Sequence, residues 1–262
     1  MKSIHRTVRF SYINRYSLET RPARLATESD VMLSVNGNFW LDFHCSPVAL
    51  DALAAGFLFN EGFVETAEEI SDIRVCEKDD NIDVWLNHPI DPPVFWSRGS
   101  GCNNSIQPGQ HTTLVKLPRG LKFTLPELYE QMENFHAALA KQSRDRHGIH
   151  TSMLLDGTTA IQVIADIGRH NTLDKLAGIC LLRALTLARP ALITTGRISA
   201  DMVRKAARMK TPLVISLHST SDRAVRTARE LGITLIGQAR LGRMDVYTHA
   251  ERILLKRDTL NR

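Results

Sequence analysis

ALITTGRISADMVRKAARMKTPLVISLHSTSDRAVRTARELGITLI, residues 191–236, is the stretch that decides the fold. Ala191–Thr195, Pro212–Leu217 and Ile233–Ile236 are short apolar runs, too short for helices and bounded by polar residues. Between them, Ser199–Met209 and Asp222–Leu231 carry apolar residues at helical spacing. Strands that alternate with three-turn helices predict parallel β-α units, with helices covering both faces of the sheet.

Upstream, Ile149–Leu155 and Ala160–Asp166 read as strands joined at Asp156-Gly157, and this hairpin makes the sheet mixed. A helix is expected from about Asn171 to Ala188, and another over Leu125–Arg144, with Thr124 as its cap and Pro126 in its first turn. The first portion is richer in strand. Thr7–Tyr16 and Val31–Phe43 alternate, with an Asn36-Gly37 turn inside the second. Pro47–Phe59 reads as a helix, with Ser46 as N-cap and Pro47 at the first helical position. Ile70–Cys76 and Ile82–Leu86 read as a hairpin. The polar, glycine-rich stretch Ser97–Gly109 reads as a mobile loop. The expected organisation is a β-rich domain over 1–120, ending beyond that loop, and an α/β/α domain over 121–262.

Composition bounds the function. A hydrophobic fraction of 43% and a charged fraction of 23% are those of a globular protein. No apolar run approaches the ~18 residues of a membrane span. The first ten residues have no apolar core of a signal peptide, so a cytoplasmic location is expected. The net charge of +5 is uneven. Residues 197–262 hold 14 Lys and Arg against 6 Asp and Glu, leaving −3 for the rest. A basic end suits an anionic ligand or an acidic partner. Aromatic residues do not interleave with it, so nucleic-acid binding is not expected.

The four cysteines (Cys45, Cys76, Cys102, Cys180) show no C-x-x-C pair and no metal-ligand spacing. Cys45, Cys76 and Cys180 fall in apolar patterns and read as small buried hydrophobes. Cys102 stands between Gly101 and Asn103 in the polar stretch, where burial does not explain it. An exposed thiol there, with Arg98 nearby to favour thiolate, can accept and pass on a group.

Two strand-to-helix junctions carry the other candidates. In DIGRHNTLDK, residues 166–175, Gly168 and the helix start suit an anion. Asp166 can pair with Arg169, His170 can move a proton and Asn171 can cap the helix. In TTGRIS, residues 194–199, Gly196, Arg197 and Ser199 offer backbone approach, charge and a hydroxyl. His150, at the head of a strand, is placed to face the same crevice. Each junction also admits a purely structural reading as caps and braces.

Taken in order, SPVALDALAAGFLFNEGFV (46–64), the Gly-Cys of the central loop, GIHTSMLLDG (148–157), DIGRHNTLDKLAG (166–178), TGRISADMVRKA (195–206) and GITLIGQARLGRMDVYT (232–248) resemble the formate dehydrogenase accessory sulfurtransferase (FdhD/NarQ) family. The resemblance implies a cytidine deaminase-like α/β/α domain beside a smaller β-rich one. It implies a sulfur carrier that takes persulfide sulfur from a cysteine desulfurase on Cys102. The sulfur would pass to the molybdenum or tungsten bis-molybdopterin guanine dinucleotide cofactor of formate dehydrogenase, bound as cargo near His150, Asp166, Gly168, Arg169, His170, Asn171, Gly196, Arg197 and Ser199. It also implies a homodimer. The alternative is a chaperone that binds the cofactor without covalent chemistry. Deaminase chemistry is not expected. His249-Ala250-Glu251 fits one zinc-deaminase segment, but the sequence has no P-C-x-x-C, and no metal ligand set is expected. Cys102 is followed by Asn-Asn-Ser, without the second thiol that would resolve a persulfide within the loop.

Overall fold

The computed structural model describes residues 4–92, 96–98, 104–106, 114–142 and 148–255. Cys102 lies outside the described residues.

The chain opens with a two-stranded ribbon, β1 (His5–Ile13) and β2 (Leu18–Ala26). Next come β3 (Ser29–Val35), β4 (Asn38–Cys45), α1 (Leu50–Asn60), β5 (Ile70–Val75) and β6 (Asn81–Leu86). The four strands after the ribbon form one sheet in the order β4-β3-β6-β5. Every second residue of β3 and β6 is buried, among them Val31, Leu33, Val35, Ile82 and Val84, and these pack against α1. The short strands β7 (Trp96–Arg98) and β8 (Asn104–Ile106) pair antiparallel on either side of the Cys102 segment in sequence. Extended hairpin strands therefore occupy parts of the stretch expected to be a loop.

The rest follows the predicted rhythm: β9 (Phe123–Thr124), α2 (Leu125–Lys141), β10 (His150–Asp156), β11 (Thr159–Asp166), α3 (Arg169–Leu182), β12 (Pro190–Thr194), α4 (Ala200–Arg208), β13 (Leu213–Ser216), α5 (Asp222–Leu231), β14 (Thr234–Arg240), β15 (Arg243–Val246) and β16 (Ile253–Leu254). Six of these strands form a mixed sheet in the order β11-β10-β12-β13-β14-β15, parallel from β12 to β14 and antiparallel at both flanks. Helix α2 packs its Leu128, Met132 and Phe135 on one face of the sheet, against Met153, Ile193 and Ile215. Helices α3, α4 and α5 cover the other face through Leu176, Met202, Val203 and Ala224, against Leu154, Leu192 and Val214. The result is the expected three-layer α/β/α arrangement with a mixed sheet, joined to a smaller β-rich unit. Among the described residues, no helix is long and apolar enough to cross a membrane.

The two units meet through α1 and α3. Helix α3 is buried without a break from Asn171 to Ile179, because α1 covers the side that the sheet does not. Close approach there requires glycine on both helices. A Cβ on Gly56 would lie 1.7 Å from the Asp174 carbonyl oxygen, and one on Gly178 would lie 1.9 Å from that of Ala52.

Two helix boundaries differ from expectation. Helix α1 starts at Leu50, after Ala49 in the left-handed region (φ 50°), because Ser46 is drawn into a buried polar network and caps nothing. Helix α3 ends at Leu182, well before Ala188, where Ala184 turns left-handed (φ 49°) and the Leu185 N–H closes onto the Cys180 carbonyl. Cys76 also differs. It sits half-buried in the β5–β6 turn and donates its thiol hydrogen to Asp80 at 2.8 Å.

Candidate functional site

Strand polarity gathers the candidates on one edge of the six-stranded sheet. Because β10 runs antiparallel to both neighbours, its first residue, His150, pairs with Asp166 at the end of β11, and Ser152 pairs with Thr194 at the end of β12. Both strand-to-helix junctions therefore open on the same edge, with β10 between them carrying His150. Ser216 at the end of β13 pairs with Thr194 and brings His218 to that edge as well.

The 166–175 motif divides into an inward and an outward part. Asp166 is fully buried and accepts four hydrogen bonds: from Gly168 N (2.7 Å) and Asn171 Nδ2 (2.9 Å) on Oδ1, and from Ser46 N (3.1 Å) and Lys175 Nζ (2.5 Å) on Oδ2. The partner holding its charge is Lys175, where the sequence suggests Arg169. Lys175 also donates to the Ser46 carbonyl. Asn171 lies in the first turn of α3, not at its cap, and its amide spans from Asp166 to the His44 carbonyl. The N-cap is Gly168, where a Cβ would lie 2.6 Å from the Asn171 amide nitrogen, so internal packing requires the glycine. Asp174 binds Lys205 through both oxygens at 2.6 Å and accepts from Asn60 at 2.8 Å. These residues fasten α3 to β4, α1 and α4. They are braces for the edge.

Arg169 and His170 form the outward part. The His170 Nε2 lies 3.0 Å from Ser199 Oγ, and this contact ties the two junctions together. Ser199 caps α4 by accepting from Met202 N, as the sequence suggests. Burial, reinforced by Lys205, Arg169 and His150, pushes the His170 pKa down to about 3. The imidazole is therefore neutral, so it can donate from one ring nitrogen and accept on the other. His150 is held below its usual range first by burial and then by the charges of Arg169 and His218. Gly196 is buried, and a Cβ there would lie 2.9 Å from the Arg169 Cβ, so the second glycine lets the Arg169 chain cross the β12 junction. Arg197 is exposed.

Beneath the edge runs a layer of hydroxyls that sequence reasoning did not single out. Ser152 Oγ bonds Thr172 Oγ1 (2.7 Å) and Thr194 Oγ1 (2.9 Å), and Thr194 Oγ1 accepts from Gly196 N (3.0 Å). Ser216 donates to the Gly196 carbonyl (2.7 Å) and accepts from His218 N (2.9 Å). Ser216 ends an otherwise apolar strand, and Ser152 and Thr194 stand beside further hydroxyls, Thr151 and Thr195, at the ends of apolar runs, which was the available signal. Together they fix both junction backbones with their polar groups satisfied.

The edge combines two guanidinium groups, neutral imidazole, a capping hydroxyl and a helix N-terminus, a set suited to a phosphate or pyrophosphate. Among the described residues there is no group of three His, Cys, Asp or Glu able to hold a metal ion. His249 bonds Glu251 and the Arg229 carbonyl. Fold and site thus define an α/β protein whose sheet carries, where antiparallel pairing gives way to parallel, an edge with groups suited to an anion.

The chain belongs to the FdhD/NarQ family, whose model matches residues 26–254. It is 34% identical over 248 residues to the sulfur carrier protein FdhD of Shouchella clausii, covering 88% of this chain and 90% of that one. It is 32% identical over 240 residues to the protein of the same name from Bacillus subtilis, with the same coverage. The crystal structure of a protein assigned as a formate dehydrogenase accessory protein, from Desulfotalea psychrophila, superposes with a TM-score of 0.76 at 25% identity, covering 96% of this chain and all of that one.

Proposed function

We propose that this protein is a sulfur carrier for the maturation of formate dehydrogenase. It takes sulfur from a cysteine desulfurase on Cys102 and passes it to the bis-molybdopterin guanine dinucleotide cofactor held at the sheet edge. The observation that carries the reading is kinship with proteins named sulfur carriers over nearly the whole chain. The edge agrees with an anionic substrate: Arg169 and Arg197 oppose its phosphates, while Ser199, His170 and His150 offer neutral donors and acceptors. The other thiols are poor candidates. Burial pushes the Cys45 thiol up to about 12 and the Cys180 thiol up to about 11, and Cys76 is engaged by Asp80.

In the loading step the Cys102 thiolate attacks the terminal sulfur of a donor persulfide. The donor's sulfur–sulfur bond breaks, its cysteine leaves as thiolate, and Cys102 becomes a persulfide. With a single cysteine in the loop, release of that sulfur requires the acceptor itself.

Incubation with a cysteine desulfurase and cysteine, followed by intact-mass measurement, tests this. The chain is expected to gain one sulfur atom, and Cys102→Ala to gain none. A wild-type chain left unmodified under conditions that load a known acceptor overturns the proposal. Restoration of formate dehydrogenase activity by Cys102→Ala in cells lacking the protein would assign the chaperone role instead.

A further inference from the structure

Helix α3 begins at the sheet edge with Arg169 and ends, at Leu182, against a pocket of about 400 Å³. Strand β12, which reaches the edge at Thr194, starts beside the same pocket at Pro190. Edge and pocket therefore lie at opposite ends of the same elements. The pocket is walled by chain reversals. Ala184 turns left-handed after α3, and residues 185–187 leave the helix path to form one wall. Met209 and Lys210, where the chain turns left-handed after α4, form a second. Phe59 and residues 65–68 of the β-rich unit supply the third.

The lining is apolar. Leu181, Leu185, Leu187 and Met209 surround the space with Phe59 and the Cys180 thiol. Leu154 and Ala177 at its floor are 1% and 2% exposed, so this is a pocket with depth and not an open face. Its volume falls among the ~300–1,000 Å³ of small-molecule sites. The polar groups of the walls are already engaged. The Ile179, Cys180 and Leu181 carbonyls accept from the N–H groups of Arg183, Leu185 and Ala184. Arg208 donates to the Phe59 and Val64 carbonyls and pairs with Glu65. Burial keeps the Cys180 thiol protonated. Glu68 and Lys210 are exposed and keep their charges in water. A charged ligand would lose hydration in such a pocket and gain no counter-charge.

We propose that this pocket binds a small, uncharged, largely apolar molecule. Its walls come from α1, α3, α4 and the segments that follow them, so an occupant bridges the β-rich unit and the α/β/α unit. Such a molecule binds only the folded chain and raises its stability. None of the wall residues belongs to the edge, so the site does not depend on what the edge binds.

N-phenyl-1-naphthylamine, an uncharged apolar fluorophore, is the probe. Titration of the full chain is expected to enhance its emission with one molecule bound per chain, and to raise the thermal midpoint by about 2–4 °C or more at saturation. Cys180→Phe fills the pocket from one wall, and Thr186→Trp, at an exposed wall position, narrows it. Each is expected to weaken binding at least ~10-fold. A further measurement needs no substitution. With the probe at about ten times its dissociation constant, labelling of Cys180 by N-ethylmaleimide, read by peptide mass, is expected to slow about tenfold. The anionic analogue 1-anilinonaphthalene-8-sulfonate is expected to bind at least ~10-fold more weakly than the neutral amine. A wild-type chain that leaves the probe dark overturns the proposal. Binding that either substitution leaves unchanged, or that does not slow Cys180 labelling, places the probe elsewhere and overturns it too. Equal or tighter binding of the sulfonate overturns the assignment of an uncharged ligand.

Discussion

His170 joins the two junctions while staying neutral, and that neutrality has a consequence for stability. An unfolded chain protonates this imidazole below about 6.5, whereas the folded chain does so only near 3. Between those values the unfolded state binds the extra proton, so stability falls as pH drops through that window. His170→Gln keeps a hydrogen-bonding group toward Ser199 but cannot titrate. Denaturant titrations across the window are expected to show a shallower loss for the variant than for wild type, and equal slopes would contradict the assignment. Asp166 makes a different prediction. Asp166→Asn leaves the Lys175 ammonium buried without its counter-charge, at an expected cost of about 3–5 kcal/mol. Adding Lys175→Met removes the stranded charge and is expected to recover most of that loss in urea denaturation. The motif's importance was legible in the sequence, but its division of labour was not. Nothing local says that Asp166 turns toward Ser46, 120 positions earlier, while Arg169 and His170 face the edge.

The interlock of α1 and α3 is carried by two glycines, where carbonyl groups of each helix occupy the other's Cβ positions. Gly56→Ala or Gly178→Ala must push the helices apart, which opens the packing between the β-rich unit and the sheet. A loss of about 3 kcal/mol is expected for either, read as a lower thermal midpoint; a midpoint within a degree or so of wild type would refute the close-contact argument. The C-terminal β-α-β-α-β run was readable because its short apolar strands and amphipathic helices differ in period, and α5 falls on its expected residues. Helices α1 and α3 were harder to bound. Both are buried on most sides and lack an amphipathic stripe, and their ends are set by tertiary contacts: Ser46 with Asp166, and Ala184 turning back on α3. Strand β15 was missed because only the two central residues of Arg243–Val246, Met244 and Asp245, are half-buried and the segment has no apolar run.

At the scale of the whole molecule, the proposed sulfur loading and the proposed cofactor binding use different parts of the sequence, so they are separable by mutation. The proposed loading uses Cys102, which follows the first sheet in sequence, whereas the proposed anion site is built from the edge of the second. Guanosine diphosphate reproduces the nucleotide end of the cofactor and serves as the probe. Arg197→Ala removes an exposed guanidinium from the β12 junction while leaving the Ser199 cap, the hydroxyl layer and the Asp166–Lys175 brace intact. Loss of one charge-assisted contact to phosphate is expected to weaken guanosine diphosphate binding about tenfold in calorimetry, with persulfide loading of Cys102 unchanged. Cys102→Ala is expected to show the reverse, full nucleotide affinity with no sulfur acquired. If Arg197→Ala binds the nucleotide as tightly as wild type, the anion lies elsewhere than this edge. If both variants lose both properties, loading and binding are coupled, and the two-part division of the molecule fails.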